Sequence, residues 1–103
     1  MNPDTSFNDD IYRMKLNEIQ NNILKWMSDN YVATKEIRRN VSDDLGSAIS
    51  DESFYAALFG LHSTSLVSSH IYDSQNGAYA SIISPDEYSL DVLYWRATDK
   101  AGQ

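Results

Sequence analysis

The sequence has no cysteine, which excludes disulfide bonds, thiolate zinc sites and cysteine nucleophiles. It also has no long apolar stretch: the longest run is a few residues around 92–95, far short of the roughly 20 that cross a bilayer. The first ten residues carry neither a basic segment nor an apolar segment, so we expect no signal peptide. Together these absences lead us to expect a cytoplasmic protein with no membrane contact.

Motifs of catalysis and of metal binding are missing too. There is no Gly-rich phosphate loop, because the four glycines are scattered singly, and there is no GxSxG or HExxH segment. The two histidines, His62 and His70, are not spaced as a ligand pair. Adjacent acids at 9–10, 43–44 and 86–87 fall at expected helix starts or turns, where capping explains them. We therefore expect no enzyme activity, no catalytic residue, no cofactor and no metal site.

Positive charge is scarce. Eight Lys and Arg face fifteen Asp and Glu in 103 residues, which gives a net charge of −7. Proteins that bind nucleic acid through phosphates normally carry a basic surface, so this composition weakens the case for tight nonspecific DNA binding. The length suits one domain. We expect that domain over residues 9–98, between a disordered N-terminal tail of residues 1–8 and a C-terminal tail of residues 99–103.

The first element that the pattern predicts is a long helix over residues 9–29. Apolar residues recur in it at spacings of four, three, four and three, which is typical of a helix face and also of a coiled-coil seam. A helix of this length exceeds what the core of so small a domain needs. Its first turns, with Tyr12, Leu16 and Ile19, therefore form either a partner interface, as in a homodimer, or a surface that packs on the C-terminal segment.

Two short helices are expected next. Thr34 is a good N-cap for a helix over residues 35–41, which a polar, glycine-containing segment then ends. Ser50 is a good N-cap for a helix over residues 51–61, because two acids follow it and apolar residues then repeat at helical spacing. Gly60, within that helix, indicates close packing or an early end.

A hairpin follows, and then a segment with two interpretations. Residues 66–72 and 78–83 have strand patterns, and Asn76-Gly77 between them is a strong turn signal. After the hairpin, a Ser-Pro-Asp-Glu sequence predicts the start of a C-terminal helix. The alternation of apolar residues at 88, 90, 92 and 94 predicts a third strand instead. We favour the helix because of its capping signature.

In this order of elements the chain resembles the winged helix-turn-helix superfamily over about residues 18–83. With the favoured C-terminal helix, the expected fold is α+β: a small winged helix-turn-helix with three helices, a β-hairpin wing and a C-terminal helix. The resemblance implies that the third helix enters the DNA major groove and that the wing contacts the backbone or minor groove. The residues so placed to contact DNA are Ser53, Tyr55, Ala56, Phe59, His62 and Ser63 on the helix and Gln75 and Asn76 at the wing tip.

The second helix carries a basic cluster of Lys35, Arg38 and Arg39. One interpretation is a patch that contacts DNA phosphates or an acidic partner. The other is a solvated surface whose charges pair with nearby acids and contribute little. The cluster itself does not discriminate between the two, because three charges on two turns are common on a helix surface.

Aromatic residues also have two interpretations. Tyr55, Phe59, Tyr72 and Tyr79 could present one exposed surface across the third helix and the wing, a composition that favours protein contacts. Alternatively, Phe59 and Tyr79 close the small core between helix and hairpin. Trp26 and Trp95 are most simply core residues.

Two functions are consistent with these features. The first is a small DNA-binding transcriptional regulator, dimeric through helix one or the C-terminal segment, that contacts phosphates through its basic cluster. The second is an interaction module, an adaptor or inhibitor, that presents an acidic surface to a basic protein partner. The winged-helix resemblance favours the regulator, which is therefore the function that we expect, with the module as the alternative. The absence of Lys and Arg between residues 47 and 72 favours the module.

Overall fold

The computed structural model describes residues 17–27, 30–45 and 49–100. Within them, three helices pack against a four-stranded antiparallel sheet whose strand order is β1-β4-β2-β3. The fold is therefore α+β, as the sequence predicts. The elements are α1 (17–25), β1 (Val32–Ala33), α2 (Thr34–Leu45), α3 (Asp51–Ser63), β2 (Val67–Asp73), β3 (Ala78–Ile82) and β4 (Leu93–Ala97), with two 3-10 turns before β4 (Pro85–Glu87 and Leu90–Val92).

The core lies between the helices and one face of the sheet. Each helix contributes a buried stripe at helical spacing, and β2 and β4 contribute residues at alternate positions. Burial of these side chains is the main driving force for folding. The buried apolar residues are Ile19, Ile23, Met27, Ile37, Val41, Phe54, Ala57, Leu58, Leu61, Val67, Leu93 and Trp95.

The C-terminal segment is not a helix, and that prediction is wrong. Its helix-like start forms a single 3-10 turn over Pro85–Glu87, a second turn covers Leu90–Val92, and the rest is β4. As a strand, β4 buries Leu93 and Trp95 on the same side while pairing with both β1 and β2. A helix there would give up both ladders of hydrogen bonds, so tertiary pairing overrides the local capping signal.

Thr34 does not cap α2 through its side chain, contrary to the prediction. Its hydroxyl group is buried, donates to the Leu93 carbonyl at 3.2 Å and accepts from the Trp95 indole at 2.7 Å. A residue that local sequence marks as a cap is thus used to fix β4 against the start of α2. The bond also satisfies the indole N–H of a fully buried tryptophan.

The helix α2 continues to Leu45, one turn beyond the predicted end. Asp44 in that last turn accepts hydrogen bonds from Lys25 at 2.9 Å, Trp26 at 2.7 Å and Asn22 at 3.1 Å. The bonds from Lys25 and Trp26 hold the pKa of Asp44 below its ordinary value. These contacts to α1 explain the extra turn, and they leave Trp26 37% exposed rather than in the core.

The boundaries of α1 and α3 also differ from those predicted. The helix α1 ends at residue 25, and residues 9–16 and 28–29 of the predicted helix lie outside the described residues. The helix α3 ends at Ser63, two residues beyond its predicted end. The Ser50 cap is confirmed, since its hydroxyl accepts from the Ser53 backbone N–H at 3.1 Å. Gly60 marks close packing and not an end: an added Cβ would lie 2.7 Å from the side-chain nitrogen of Gln20.

The hairpin of β2 and β3 is confirmed by their antiparallel pairing, which runs from Ser69 opposite Ile82 to Asp73 opposite Ala78. Gly77 closes the connecting loop with a φ of +64°, where glycine is favoured. Residues 1–8 and most of the expected C-terminal tail lie outside the described residues. Within the described ranges, no helix is long and apolar enough to span a bilayer.

Candidate interaction surfaces

The basic cluster of α2 is divided by the fold. Arg38 turns toward the start of α3, where its guanidinium donates to Ser42 at 2.6 Å, to the Ile49 carbonyl and to Asp51 at 3.3 Å. Lys35 and Arg39 remain exposed, with no ion pair to any other residue that the structure describes. Arg38 is therefore a tie between two helices, and only two of the three basic side chains are available for contact.

The predicted DNA-reading helix, α3, offers an acidic outer surface. Asp51, Glu52 and Ala56 are exposed, and Ser63 is exposed while donating to the Gly60 carbonyl at 2.9 Å. Ser53 and Tyr55 are half-buried, and no Lys or Arg belongs to the helix. This surface lacks the long basic and amide side chains that read bases and hold phosphates.

Phe59 and His62, also predicted to contact DNA, point toward the core. The Phe59 ring lies edge-on to Trp95 with centroids 6.0 Å apart, in agreement with the core-closing interpretation. His62 Nε2 lies 3.0 Å from the Ser69 hydroxyl and its ring lies edge-on to Trp95. Burial lowers the pKa of His62, opposed by the charge of Asp86.

At the tip of the β2–β3 hairpin, Gln75 and Asn76 are exposed. The Asp73 carboxylate accepts from both of their backbone N–H groups, at 3.0 and 3.4 Å, and from the Asn76 side chain at 2.6 Å. Most of these polar groups therefore form hydrogen bonds within the turn itself, and the turn carries the negative charge of Asp73.

The outer face of the sheet, opposite the helices, carries an aromatic cluster. Residues paired directly across neighbouring strands share a face, and the register places Tyr72 opposite Tyr79 and His70 opposite Tyr94. Tyr31, just before β1, folds over these strands. We call this surface the tyrosine face; its members are Tyr31, His70, Tyr72, Tyr79, Tyr94 and Arg96.

Tyr79 is the centre of the tyrosine face. It stacks on Tyr31 at a centroid distance of 4.1 Å and lies edge-on to Tyr72 at 5.2 Å and to Tyr94 at 5.0 Å. Edge-to-face pairs with centroids about 4.5–7 Å apart are favourable, each worth about 0.5–1.5 kcal/mol beyond area burial, and the stacked pair with Tyr31 adds a closer contact. The four rings therefore hold one another in fixed positions. Tyr79 is half-buried and contacts rings from β2, from β4 and from the segment before β1, while Tyr72 is 51% exposed.

His70 lies beneath this aromatic layer. Its ring is edge-on to Tyr31 at 4.7 Å, and its two nitrogens lie 2.7 Å from the Ser68 hydroxyl and 3.3 Å from the Ser81 hydroxyl. Burial, aided by the positive charge of Arg96, lowers its pKa. His70 is thus a neutral, hydrogen-bonded support for the rings above it.

Arg96 also contacts Tyr31. Its guanidinium lies 5.3 Å from the ring centroid and donates to the phenol oxygen at 3.3 Å. This is the range of a cation–π contact. The described residues contain no group of three or more histidines and acids arranged to hold a metal ion.

A groove of about 470 Å³ opens at one end of the tyrosine face, where β2 runs beside the start of β4 and the 3-10 turns. Tyr72, Tyr88 and Val92 at its rim are all more than 40% exposed. Asp91 supplies its one charged group. The lining residues are Ile71, Tyr72, Tyr88, Asp91, Val92 and Tyr94.

The expected partner interface of helix one is only partly visible. Tyr12 and Leu16 lie outside the described residues. Ile19 is 7% exposed and belongs to the core. The other expected dimer surface, the C-terminal segment, forms β4, which lies between β1 and β2 inside the sheet.

The sequence offered Tyr72 and Tyr79 as surface residues, in one surface with Tyr55 and Phe59, but it missed Tyr31, Tyr88 and Tyr94. The alternative, in which Tyr79 closes the core between helix and hairpin, is wrong, because Tyr79 lies on the face opposite the helices. The signal for Tyr88 and Tyr94 is present, because both fall in the alternating pattern that competes with the helix. Tyr31 carries no such signal, since it precedes a strand of two residues and reaches the sheet only through the turn of the chain.

No family model matches the sequence, and neither the curated proteins nor the solved structures include one that is significantly similar to it.

Proposed function

We propose that this chain is a non-enzymatic winged helix-turn-helix domain that binds a protein partner through the tyrosine face. The winged-helix assignment is supported by the order α1-β1-α2-α3 followed by the β2–β3 hairpin. The strand β4 is an addition to that order, and it is β4 that brings Tyr94 and Arg96 beside β2.

The observation that carries the proposal is the fixed arrangement of four tyrosine rings on a solvent-facing sheet surface. Tyrosine is enriched in protein interfaces because it buries a large apolar area, keeps a polar tip and loses little conformational entropy. Here the mutual ring contacts of Tyr31, Tyr72, Tyr79 and Tyr94 already restrict their rotamers before any partner binds. Pre-organisation of this kind lowers the entropic penalty of association.

The charge distribution indicates a basic partner. From residue 40 to residue 95 the sequence has eight Asp and Glu and no Lys or Arg. That stretch supplies α3, the hairpin, the 3-10 turns and most of the tyrosine face. Arg96 belongs to the tyrosine face, but acids predominate on the elements around it. A predominantly acidic surface favours basic partners and accelerates their encounter.

Duplex DNA is the second candidate, and Lys35 and Arg39 are the observation in its favour. Both are exposed on α2, four residues apart and so on one side of the helix. They could contact phosphates. A protein that contacts few phosphates has a shallow salt dependence, and Asp51 and Glu52 at the start of α3 would repel the backbone.

Capture experiments with the full chain test the main proposal. The wild-type chain and the Tyr72→Ala and Ile83→Ala variants are immobilised, and proteins retained from an extract of the source cells are quantified. Ile83 is the matched control, because it is a 92% exposed apolar residue that belongs to neither the tyrosine face nor the groove. We expect at least one basic protein to be retained by wild type and Ile83→Ala and lost with Tyr72→Ala.

A DNA titration tests the second candidate on the same preparations. Binding to a random-sequence duplex of 20 base pairs is followed by fluorescence anisotropy from low to high salt. We expect no saturable binding. Saturable binding that weakens with salt, and that is lost in a Lys35→Ala/Arg39→Ala variant, together with no Tyr72-dependent protein, would replace our proposal by the regulator.

A further inference from the structure

We propose that the groove beside the tyrosine face binds one cationic side chain, a lysine or an arginine, of the partner protein. This inference rests on the proposed function and specifies the chemistry that its partner presents. The groove shares Tyr72 and Tyr94 with the tyrosine face, so a protein seated on that face covers the groove as well.

Three tyrosines line the groove around a single charged group. A cation near the face of an aromatic ring is attracted by the quadrupole of the ring, and the attraction is stronger where water is excluded. Tyr72, Tyr88 and Tyr94 can supply that attraction from more than one side. The aliphatic stem of lysine or arginine would pack on Val92 and Ile71, as such stems do on apolar surfaces.

Asp91 is available to pair with the cation. No Lys or Arg in the described ranges lies within ion-pair distance of its carboxylate. Most described acids share this property, and Asp91 differs from them in lining a groove of tyrosine rings. The rings of Tyr72, Tyr88 and Tyr94 are equally free of a cation from the described part of the chain, in contrast to Tyr31, which has Arg96.

The groove has room for one lysine or arginine side chain. A volume of about 470 Å³ falls at the lower end of ordinary ligand sites. Its rim is open, because Tyr88 is 41% and Val92 48% exposed. Asp91 would repel an anionic occupant and attract a cationic one, so a cation is the occupant that the lining favours.

The test is an NMR titration of the full chain with single-residue probes. Nα-acetyl-argininamide and Nα-acetyl-lysinamide are each added, with Nα-acetyl-citrullinamide as the neutral isostere of arginine. We expect saturable shifts of the aromatic resonances of Tyr72, Tyr88 and Tyr94 with at least one cation and none with citrulline. Asp91→Asn should weaken that binding about threefold to fivefold, the upper range for an exposed ion pair. Tyr88→Leu should weaken it too while preserving an apolar wall.

Glu52→Gln is the matched control, since it removes the same unit of charge from exposed α3, outside the groove. Its affinity should equal that of wild type. The proposal is overturned if neither cation gives saturable shifts at these tyrosines, if citrulline acts equally, or if Glu52→Gln weakens binding as much as Asp91→Asn. A negative titration combined with Tyr72-dependent protein capture would remove this inference and leave the proposed function intact.

Discussion

The two faces of the sheet use the same strands for different ends. On β4, Leu93 and Trp95 face the helices and are fully buried, whereas the intervening Tyr94 faces outward and is half-buried. On β2, Val67 and Ser69 are buried on the inner side, and Tyr72 on the outer side is half exposed. The alternation of a β-strand assigns each residue to one of these environments.

The two faces differ in their residue types, and this difference indicates different roles in stability and in recognition. The inner face is mostly aliphatic, and its large Trp95 side chain has its one polar atom satisfied by Thr34. The outer face is built of rings with polar tips, supported by a buried His70. We infer that the inner face supplies most of the free energy of folding and that the outer face is arranged for contact with another molecule.

The largest expected effect is on the inner face. Trp95→Ala should reduce the free energy of unfolding by about 3–5 kcal/mol, because it opens a large cavity and leaves the Thr34 hydroxyl short of a donor. Urea denaturation followed by circular dichroism measures this. Tyr94→Ala, one residue away on the outer face, is the control and should have a clearly smaller effect. Equal losses at the two positions would contradict the assignment of roles to the faces.

A smaller effect is expected at the centre of the outer face. Tyr79→Ala removes one stacked and two edge-to-face ring contacts of a half-buried residue, so we expect a loss of about 1.5–3 kcal/mol in the free energy of unfolding with the fold retained. Tyr79→Phe keeps the ring and should be nearly as stable as wild type. An unfolded Tyr79→Ala variant would show that the outer face is part of the core.

The smallest expected effect is a pH dependence that both histidines produce. Burial lowers the pKa of His62 and of His70, so the unfolded chain, in which they titrate near 6.5, binds protons more readily than the folded one. Their neutral forms stabilise the fold fully above about pH 6.5, and this stability is lost as the pH falls toward the lowered values. The urea midpoint should therefore drop between about pH 7.5 and about pH 5.5.

Histidine substitutions isolate the origin of that pH dependence. The double variant His62→Gln/His70→Gln should have a flatter dependence over the same interval, because carboxylates titrate mainly below it. Measurement of His62→Gln and His70→Gln separately divides the effect between the helix side and the outer side of the sheet. A wild-type midpoint that is constant over the interval would show that neither histidine contributes.

Local sequence patterns predicted correctly the elements that depend on interactions between residues close together in the chain. The Ser50 cap of α3 depends on residues three positions apart, and the Asn76-Gly77 signal depends on backbone preference at the turn, so both were read correctly. The prediction of a C-terminal helix that starts at residue 85 was wrong. A capping residue and a proline start a turn there, but they do not determine whether the chain continues as a helix.

The site was predicted less well than the fold. Arg38 is drawn inward by the Ile49 carbonyl and Asp51, contacts that span a loop and cannot be read from helical spacing. The tyrosine face requires the register of β2 with β3 and β4, which joins Tyr72, Tyr79 and Tyr94 from three separate strands. The winged-helix assignment stays a proposal, and the capture and DNA-titration experiments decide the choice of partner.

The sequence by itself determined the charge, the absence of cysteine chemistry, the capped start of α3 and the hairpin, because composition and short-range hydrogen bonds depend only on neighbours in the chain. Only the tertiary structure decided that the last segment is the interior strand β4. Burial of Trp95 and pairing on two sides outweigh a local helix signal. The strand β4 also places Tyr94 beside β2, where it belongs to both the tyrosine face and the groove. The surface proposed for recognition is therefore a consequence of long-range strand pairing.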